Sequence, residues 1–318
     1  MSNDNPSGLT LISGKVAKPQ RAVVYGPEGI GKSTLAAAFP NPVFLDTEGG
    51  TTHLDVTRFP RPENWEGATQ CVEQLRRAGH DFRTLVIDTA DWLERLLIEH
   101  ICRKANKDGI EDFGYGKGYT YLAEEFARFL RTLEVLREGG MHLVLVAHST
   151  IRKFEQPDAA GAYDRYELKL TKQCAPVVKE WCDLLLFVNY HTKVTDANGK
   201  KRAVGGKERR IYTTHCAAYD AKNRHALEEQ LPMAFESLAP VFDSAGSPPA
   251  RISMDPVAEI KSLWKRLEYG PQEQTKLFRW LDVDAIPGAE NWEALSPEQA
   301  SRAIGFLTRK LHEKEAAL

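Results

Sequence analysis

The octapeptide Gly26-Pro27-Glu28-Gly29-Ile30-Gly31-Lys32-Ser33 fits the pattern G-x-x-x-x-G-K-[ST]. Glycines at these positions let the chain fold back so that its N–H groups point inward at a polyphosphate. Lys32 adds a point charge for the β- and γ-phosphates, and the Ser33 hydroxyl, with Thr34 beside it, sits where Mg²⁺ would be held. Such a loop works only between a buried strand and the start of a helix, whose positive end faces the same anion. Both flanks fit: residues 21–25 are a short apolar, β-rich run, and residues 33–39 read as a helix start. The motif therefore predicts a phosphate-binding α/β fold.

The chain has 318 residues, enough for one large α/β core and a small second unit. Its net charge of −2 creates no global attraction to nucleic acid or to a membrane, so any such binding must be local. Cys71, Cys102, Cys174, Cys182 and Cys216 are scattered and form no C-x-x-C pair, which fits a reducing cytoplasm rather than a disulfide or zinc framework. The first residues are polar, without the apolar core of a signal peptide, and the apolar runs are of strand length, so no membrane span is expected.

Residues 1–20 read as a loose arm, with Leu9–Ile12 as a segment that a neighbour could accept as a strand. From Arg21, strands at 22–25, 43–46, 84–88 and 142–147 alternate with helices at 31–39, 63–78, 89–106 and 119–138, which predicts a mainly parallel sheet. A strand over 184–190 follows. Asn198-Gly199 marks a hairpin between residues 192–196 and 200–204, and further strands are expected at 211–214 and 217–220. The core thus spans residues 21–239. Pro240, Gly246, Pro248 and Pro249 mark residues 240–254 as a linker. Residues 255–318 form a small helical domain, with Asp255-Pro256 as a helix start and Ser296–Gln299 as a capping box.

Three strand ends complete the nucleotide site. Thr84–Asp88 is an apolar strand closed by an aspartate, the usual source of the carboxylate that holds Mg²⁺ through water. No N-K-x-D guanine motif is present, so the nucleotide is read as ATP. Glu48 follows the strand over 43–46. It is either a base that deprotonates an attacking water or a solvated loop glutamate. His148 ends the strand over 142–147. It is either a donor to phosphate or a strand-end histidine satisfied by its own chain.

Taken in this order, Lys32, Glu48, Asp88 and His148 resemble the RecA family, whose Asp-x-Glu at the second strand end supplies the catalytic base. The resemblance implies a RecA-like P-loop NTPase core in which Glu48 is that base and His148 replaces the usual glutamine sensor of the γ-phosphate. Asp220-Ala221-Lys222-Asn223-Arg224 resembles the Lys-x-Arg that enters a neighbouring protomer's site, with Lys222 and Arg224 stabilising phosphate charge in trans. This implies a ring or filament with ATP between protomers. Over residues 20–235 the chain is most similar to phage RecA-core nucleotide-binding proteins, among them single-strand annealing recombinases of the Sak group. The implied activity is a slow, DNA-linked ATPase of a bacterial host's cytoplasm that promotes annealing. A ring-helicase-class translocase and a non-hydrolysing, nucleotide-gated DNA-binding protein remain as alternatives.

RecA-like cores bind single strands through two loops. Phe113, Tyr115, Lys117 and Tyr119 occupy the first place, among Gly114, Gly116 and Gly118. They can stack on bases and pair with phosphate, or else pack on the core. Arg152 and Lys153 lie in the second place, where five bases between 150 and 172 face four acids. The stronger positive cluster lies in the hairpin 193–210, where Lys200, Lys201 and Arg202 stand among seven bases opposed only by Asp196 and Glu208. The C-terminal domain has no such excess of positive charge. It is expected to build a small aromatic core and to dock protein, such as a single-strand-binding protein, rather than DNA.

Overall fold

The computed structural model describes residues 16–77, 79–155, 161–197, 200–243 and 256–281, with Gly14 and scattered positions between 292 and 310. The arm segment Leu9–Ile12 and most of the linker lie outside the described residues. The chain divides into a larger unit, Met1–Arg76 with Asp81–Pro249, and a smaller one, Arg77–His80 with Ala250–Leu318.

The larger unit begins β1 (Arg21–Gly26), α1 (Lys32–Ala37), β2 (Pro42–Asp46), β3 (Thr57–Arg58), α2 (Trp65–Arg77), β4 (Thr84–Asp88) and α3 (Ala90–Lys104). It continues through α4 (Lys117–Glu138), β5 (His142–Glu155), β6 (Ala162–Leu168), α5 (Cys174–Trp181), β7 (Leu184–Ala197) and β8 (Lys200–Tyr212). It closes with β9 (Lys222–Asn223), β10 (Gln230–Pro232) and α6 (Ala239–Asp243). The sheet runs β10-β8-β7-β1-β5-β4-β2-β3, with β6 paired to β5 and β9 to β7. Strands β1 to β5 and the start of β7 pair in parallel, and the later hairpins pair antiparallel.

The central strands are apolar on both faces because helices cover both. All five residues of β4 are buried. Alternation sorts them: Val23, Tyr25, Leu85 and Ile87 meet Leu93 and Leu97 of α3 and Phe126 and Leu133 of α4. Ala22, Val24 and Val86 turn to the other face, against Leu35 of α1, Phe39 and Phe242 of α6. This two-faced burial fixes the strand register, and with it which residues stand at the strand ends.

Four sequence expectations are corrected. Strand β5 does not stop at Ala147 but runs on to Glu155, because its second half pairs with β6 as a hairpin. Helix α4 begins at Lys117, two residues early, so Lys117 and Tyr119 belong to its first turn rather than to a loop. Residues 217–220 form no regular strand; Tyr219 makes only isolated bridges, to Tyr166 and Cys216. Residues 240–243 do not open a linker but lie in α6, where Val241 and Phe242 are buried against the sheet. Burying a phenylalanine contributes about 1.5–3 kcal/mol, enough to hold so short a helix in place.

The smaller unit holds α7 (Pro256–Leu267) and α8 (Pro271–Trp280). Ile260, Leu277, Phe278, Trp292 and Leu307 form its core, and Trp292 packs edge-on against both Trp264 and Phe278. The expected capping box is present: Ser296 N–H donates to Gln299 Oε1 at 2.9 Å, and Gln299 N–H to Ser296 Oγ at 3.2 Å.

Candidate functional site

Strand β1 delivers the chain to the phosphate loop with Gly26 fully packed. A Cβ there would lie 2.1 Å from the Val188 carbonyl oxygen of β7, so only glycine fits. Gly31 has φ 101°, a left-handed conformation that costs glycine nothing, and it turns the chain into α1. Ile30 is buried beneath the loop and anchors it. Lys32 points back across the loop, its Nζ donating to the Gly26 and Pro27 carbonyls at 3.1 and 2.9 Å. Burial pushes its pKa down, and the nearby Asp88, Asp91, Glu28 and Glu48 oppose that.

Parallel pairing brings the other strand ends to the same edge. Gly26 lies opposite His148, Asp88 opposite Val146, and Asp46 opposite Asp88. The strand between the phosphate loop and Asp88 is therefore the one that carries His148. These ends line a cleft of about 330 Å³ that includes Lys32, Ser33, Glu48, Asp88 and His148, within the range of sites that enclose small molecules. The chain thus brings together four positions that are far apart in sequence.

Asp46 shapes the loop that carries Glu48. Its Oδ1 accepts from the N–H groups of Gly49 and Gly50 at 2.6 and 3.2 Å, and its Oδ2 accepts from Thr51 N–H and Oγ1 at 2.9 and 2.6 Å. Burial alone would raise the Asp46 pKa, but these bonds from Thr51, Gly49 and Gly50 hold it below the usual carboxylate range. Thr47 clasps the next strand, its Oγ1 donating to Thr89 O and accepting from Thr89 N–H.

Asp88 is the group whose environment points to a cation. It is buried, and desolvation raises its pKa to about 6, against a hydrogen bond from Ser33 and with Asp46 and Glu48 nearby. Its Oδ2 has no hydrogen-bond partner among the described residues. An orphaned buried carboxylate oxygen beside the Ser33 hydroxyl fits Mg²⁺, which needs few protein ligands when phosphate supplies others. Among the described residues, no group of three or more His, Cys, Asp or Glu is placed to hold a metal ion.

His148 is clamped from behind. Asp91, in the first turn of α3, lies 2.9 Å from His148 Nδ1 through Oδ2 and accepts the His148 backbone N–H through Oδ1 at 3.1 Å. His148 Nε2 is 3.9 Å from Glu48 Oε2. Sequence reasoning missed Asp91, which reads there as an ordinary first-turn helix acid. It also missed Arg209, on β8, whose Nη1 donates to the Ile30 carbonyl at 3.1 Å and sets a guanidinium against the phosphate loop.

Lys222 and Arg224 are not brought to this edge. Strand β9 pairs with Leu184 and Leu185 at the start of β7, the end of the sheet opposite the phosphate loop. The four steps of strand from Ala22, opposite Leu184, to Gly26 separate the two ends by about 13 Å. Lys222 Nζ donates to the carbonyls of Lys179, Glu180 and Cys182, capping the end of α5. Arg224, half-exposed, pairs with Asp183 at 2.9 Å.

Among the expected DNA contacts, Phe113 packs against Tyr121, and the Tyr119 hydroxyl donates to Glu111 at 2.6 Å. Tyr115 is fully exposed, with Lys117 exposed beside it. Gly114, Tyr115 and Gly116 all have positive φ, which turns the tyrosine out at the tip. Arg152 donates to the Leu170 carbonyl at 2.9 Å, whereas Lys153 is exposed. Lys200, Lys201 and Arg202 open β8, and their side chains lie outside the described residues.

No described helix is long and apolar enough to cross a membrane. No curated protein matches the sequence. The family model of the AAA domain matches residues 18–225, the stretch that holds the phosphate loop, Glu48, Asp88 and His148. The chain belongs to the AAA domain family.

Proposed function

We propose that this chain is an ATPase that binds single-stranded DNA and promotes annealing in phage recombination, with ATP held at the phosphate loop and shared between protomers of a ring or filament. The observation that carries the nucleotide reading is the cleft itself. It places Lys32, the orphaned Asp88 oxygen, Glu48 and His148 at one sheet edge.

Loop N–H groups and Lys32 bind the phosphates, while Ser33 and Asp88 would hold Mg²⁺. Mg²⁺ would supply neutralisation of phosphate charge there. Glu48 orients a water and accepts its proton as the oxygen bonds to the γ-phosphorus; the bond to the β–γ bridging oxygen breaks, and its electrons leave with the ADP. Glu48 suits this part because Asp46 fixes its loop while its own carboxylate stays half-exposed at the cleft.

Support for DNA comes from the turned-out Tyr115 beside Lys117, an aromatic and a cation displayed together as a stacking and phosphate contact. Arg224 is the more exposed member of its pair, and to reach a neighbour it would have to leave Asp183, whereas Lys222 is committed to α5. The smaller unit, with its own core, is proposed to dock a single-strand-binding protein. Two experiments test the reading: fluorescence anisotropy of an oligothymidine with Mg²⁺ and a non-hydrolysable ATP analogue, and a comparison of annealing with forked-duplex unwinding in the presence of ATP. Binding that requires the analogue and weakens at least fivefold in Tyr115→Ala supports it. Nucleotide-independent binding, unwinding of a forked duplex, or no binding contradicts it.

A further inference from the structure

We propose that Arg209 is a positioning residue of the phosphate loop: from β8 it fixes the Ile30–Gly31 peptide, so that the Gly31 N–H is held toward the cleft as a donor to a bound polyphosphate. The inference rests on reading the cleft as a nucleotide site, and it gives a part to a residue that does not line the cleft.

A loop binds an anion through inward-facing N–H groups, which leaves its carbonyls to be satisfied elsewhere. Lys32 Nζ takes the Gly26 and Pro27 carbonyls, and the Leu35 N–H takes that of Gly31 at 2.9 Å, all within the motif and its helix. The Ile30 carbonyl is taken from outside the motif, by Arg209 Nη1 at 3.1 Å. The Ile30–Gly31 peptide is trans, so its N–H points opposite to its C=O and away from Arg209. Gly31 lines the cleft and Arg209 stands outside it, so the peptide that Arg209 grips turns its N–H toward the cleft. Gly31, at φ 101°, has no Cβ to resist rotation of this peptide, and the bond from Arg209 decides which way it faces.

Arg209 is itself firmly placed. It stands opposite Tyr190 in the β7–β8 pairing, its carbonyl accepts the Met233 N–H at 3.3 Å, and Ile211 of β8 is buried with Leu231 of β10 close by. A Cβ on Gly31 would lie 2.6 Å from Arg209 Nη1 and 3.9 Å from Met233 Cε, so the guanidinium requires glycine at 31 as much as the φ does. Among the described residues Arg209 has no ion-pair partner, and Glu208 beside it pairs with Arg210. Its charge therefore remains beside the loop and adds to the attraction for a polyphosphate. The metal side of the site is remote. Asp88 stands on β4 and Arg209 on β8, with β7, β1 and β5 between them, which sets the two strands about 19 Å apart. What Arg209 contributes is therefore independent of Mg²⁺, whose charge would act at Asp88 and Ser33.

The test is calorimetric titration of ADP into the full chain at low and at saturating Mg²⁺, for the wild type, Arg209→Ala and Arg209→Lys. In Arg209→Ala the affinity should fall about five- to tenfold, the worth of one hydrogen bond from a charged but exposed donor, and by the same factor at both Mg²⁺ levels. In Arg209→Lys the ammonium still reaches toward the Ile30 carbonyl, and affinity should return to within about threefold of the wild type. The thermal midpoint of the free protein should stay within about 2 °C in both variants. Unchanged affinity in Arg209→Ala overturns the proposal. So does a loss confined to saturating Mg²⁺, a loss that lysine does not recover, or a fall in the midpoint that marks a merely structural role. A wild type that binds no ADP at saturating Mg²⁺ instead overturns the reading of the cleft.

Discussion

Replacing Asp46 by asparagine removes one charge and one acceptor from the loop that carries Glu48. In the better of its two orientations, the asparagine oxygen keeps the bonds from Gly49 and Gly50, and its amide faces Thr51. The Thr51 hydroxyl can rotate to accept, but the Thr51 N–H, in a fully buried residue, loses its partner. An unsatisfied buried N–H costs about 1–3 kcal/mol, and each of the two surviving bonds weakens by about 1 kcal/mol once its acceptor is neutral. Relief from burying a charge offsets part of this, leaving a net loss of about 2–4 kcal/mol. Urea unfolding should show that loss. ATP turnover should fall about 10- to 100-fold through misplacement of Glu48, with ATP affinity within about threefold, because a shift near 1 Å has that effect on a positioned group. A variant with wild-type stability and turnover would refute the assignment of Asp46 as the shaper of this loop.

Three further outcomes follow from the geometry. His142 is buried and accepts the Gln20 N–H at its Nδ1, and burial lowers its pKa to about 4. Its neutral form therefore stabilises the fold above pH 6.5, and that contribution is lost as pH falls toward 4. The loss already amounts to about 2 kcal/mol at pH 5, and His142→Gln should remove this part of the pH dependence in urea titrations. Gly26→Ala should lose roughly 3 kcal/mol or more, measured by thermal unfolding, because a backbone carbonyl 2.1 Å away cannot yield as a side chain would. Asp183→Asn should lose about 3–5 kcal/mol in chemical denaturation, since the buried carboxylate is shared by Arg21, Arg137 and Arg224.

How much of the site could be read in advance follows from the range of each interaction. The phosphate loop is an eight-residue pattern whose strand and helix are its immediate neighbours, so it was visible entire. Asp88, Glu48 and His148 were visible because each follows an apolar strand, and parallel pairing carries such ends to one edge. Asp91 and Arg209 were not. The first is a helix acid whose role depends on His148, 57 positions away, and the second meets Ile30 across 179 positions. Charge clusters misled for the same reason: Arg209 is committed to the phosphate loop and Arg210 pairs with Glu208, so the hairpin's basic count overstates what is free to meet DNA. Asp220 lay in an expected strand, but it instead binds Arg165, Lys179 and His215, which holds the chain there in an irregular path.

The most direct test of the account is phosphate release by the wild type and by Glu48→Gln at saturating Mg²⁺ and ATP with single-stranded DNA, each with its ATP affinity measured in parallel. The account predicts hydrolysis by the wild type and a loss of at least 100-fold in Glu48→Gln with affinity preserved. Undiminished turnover in Glu48→Gln, or a wild type that binds ATP without hydrolysing it, would contradict it.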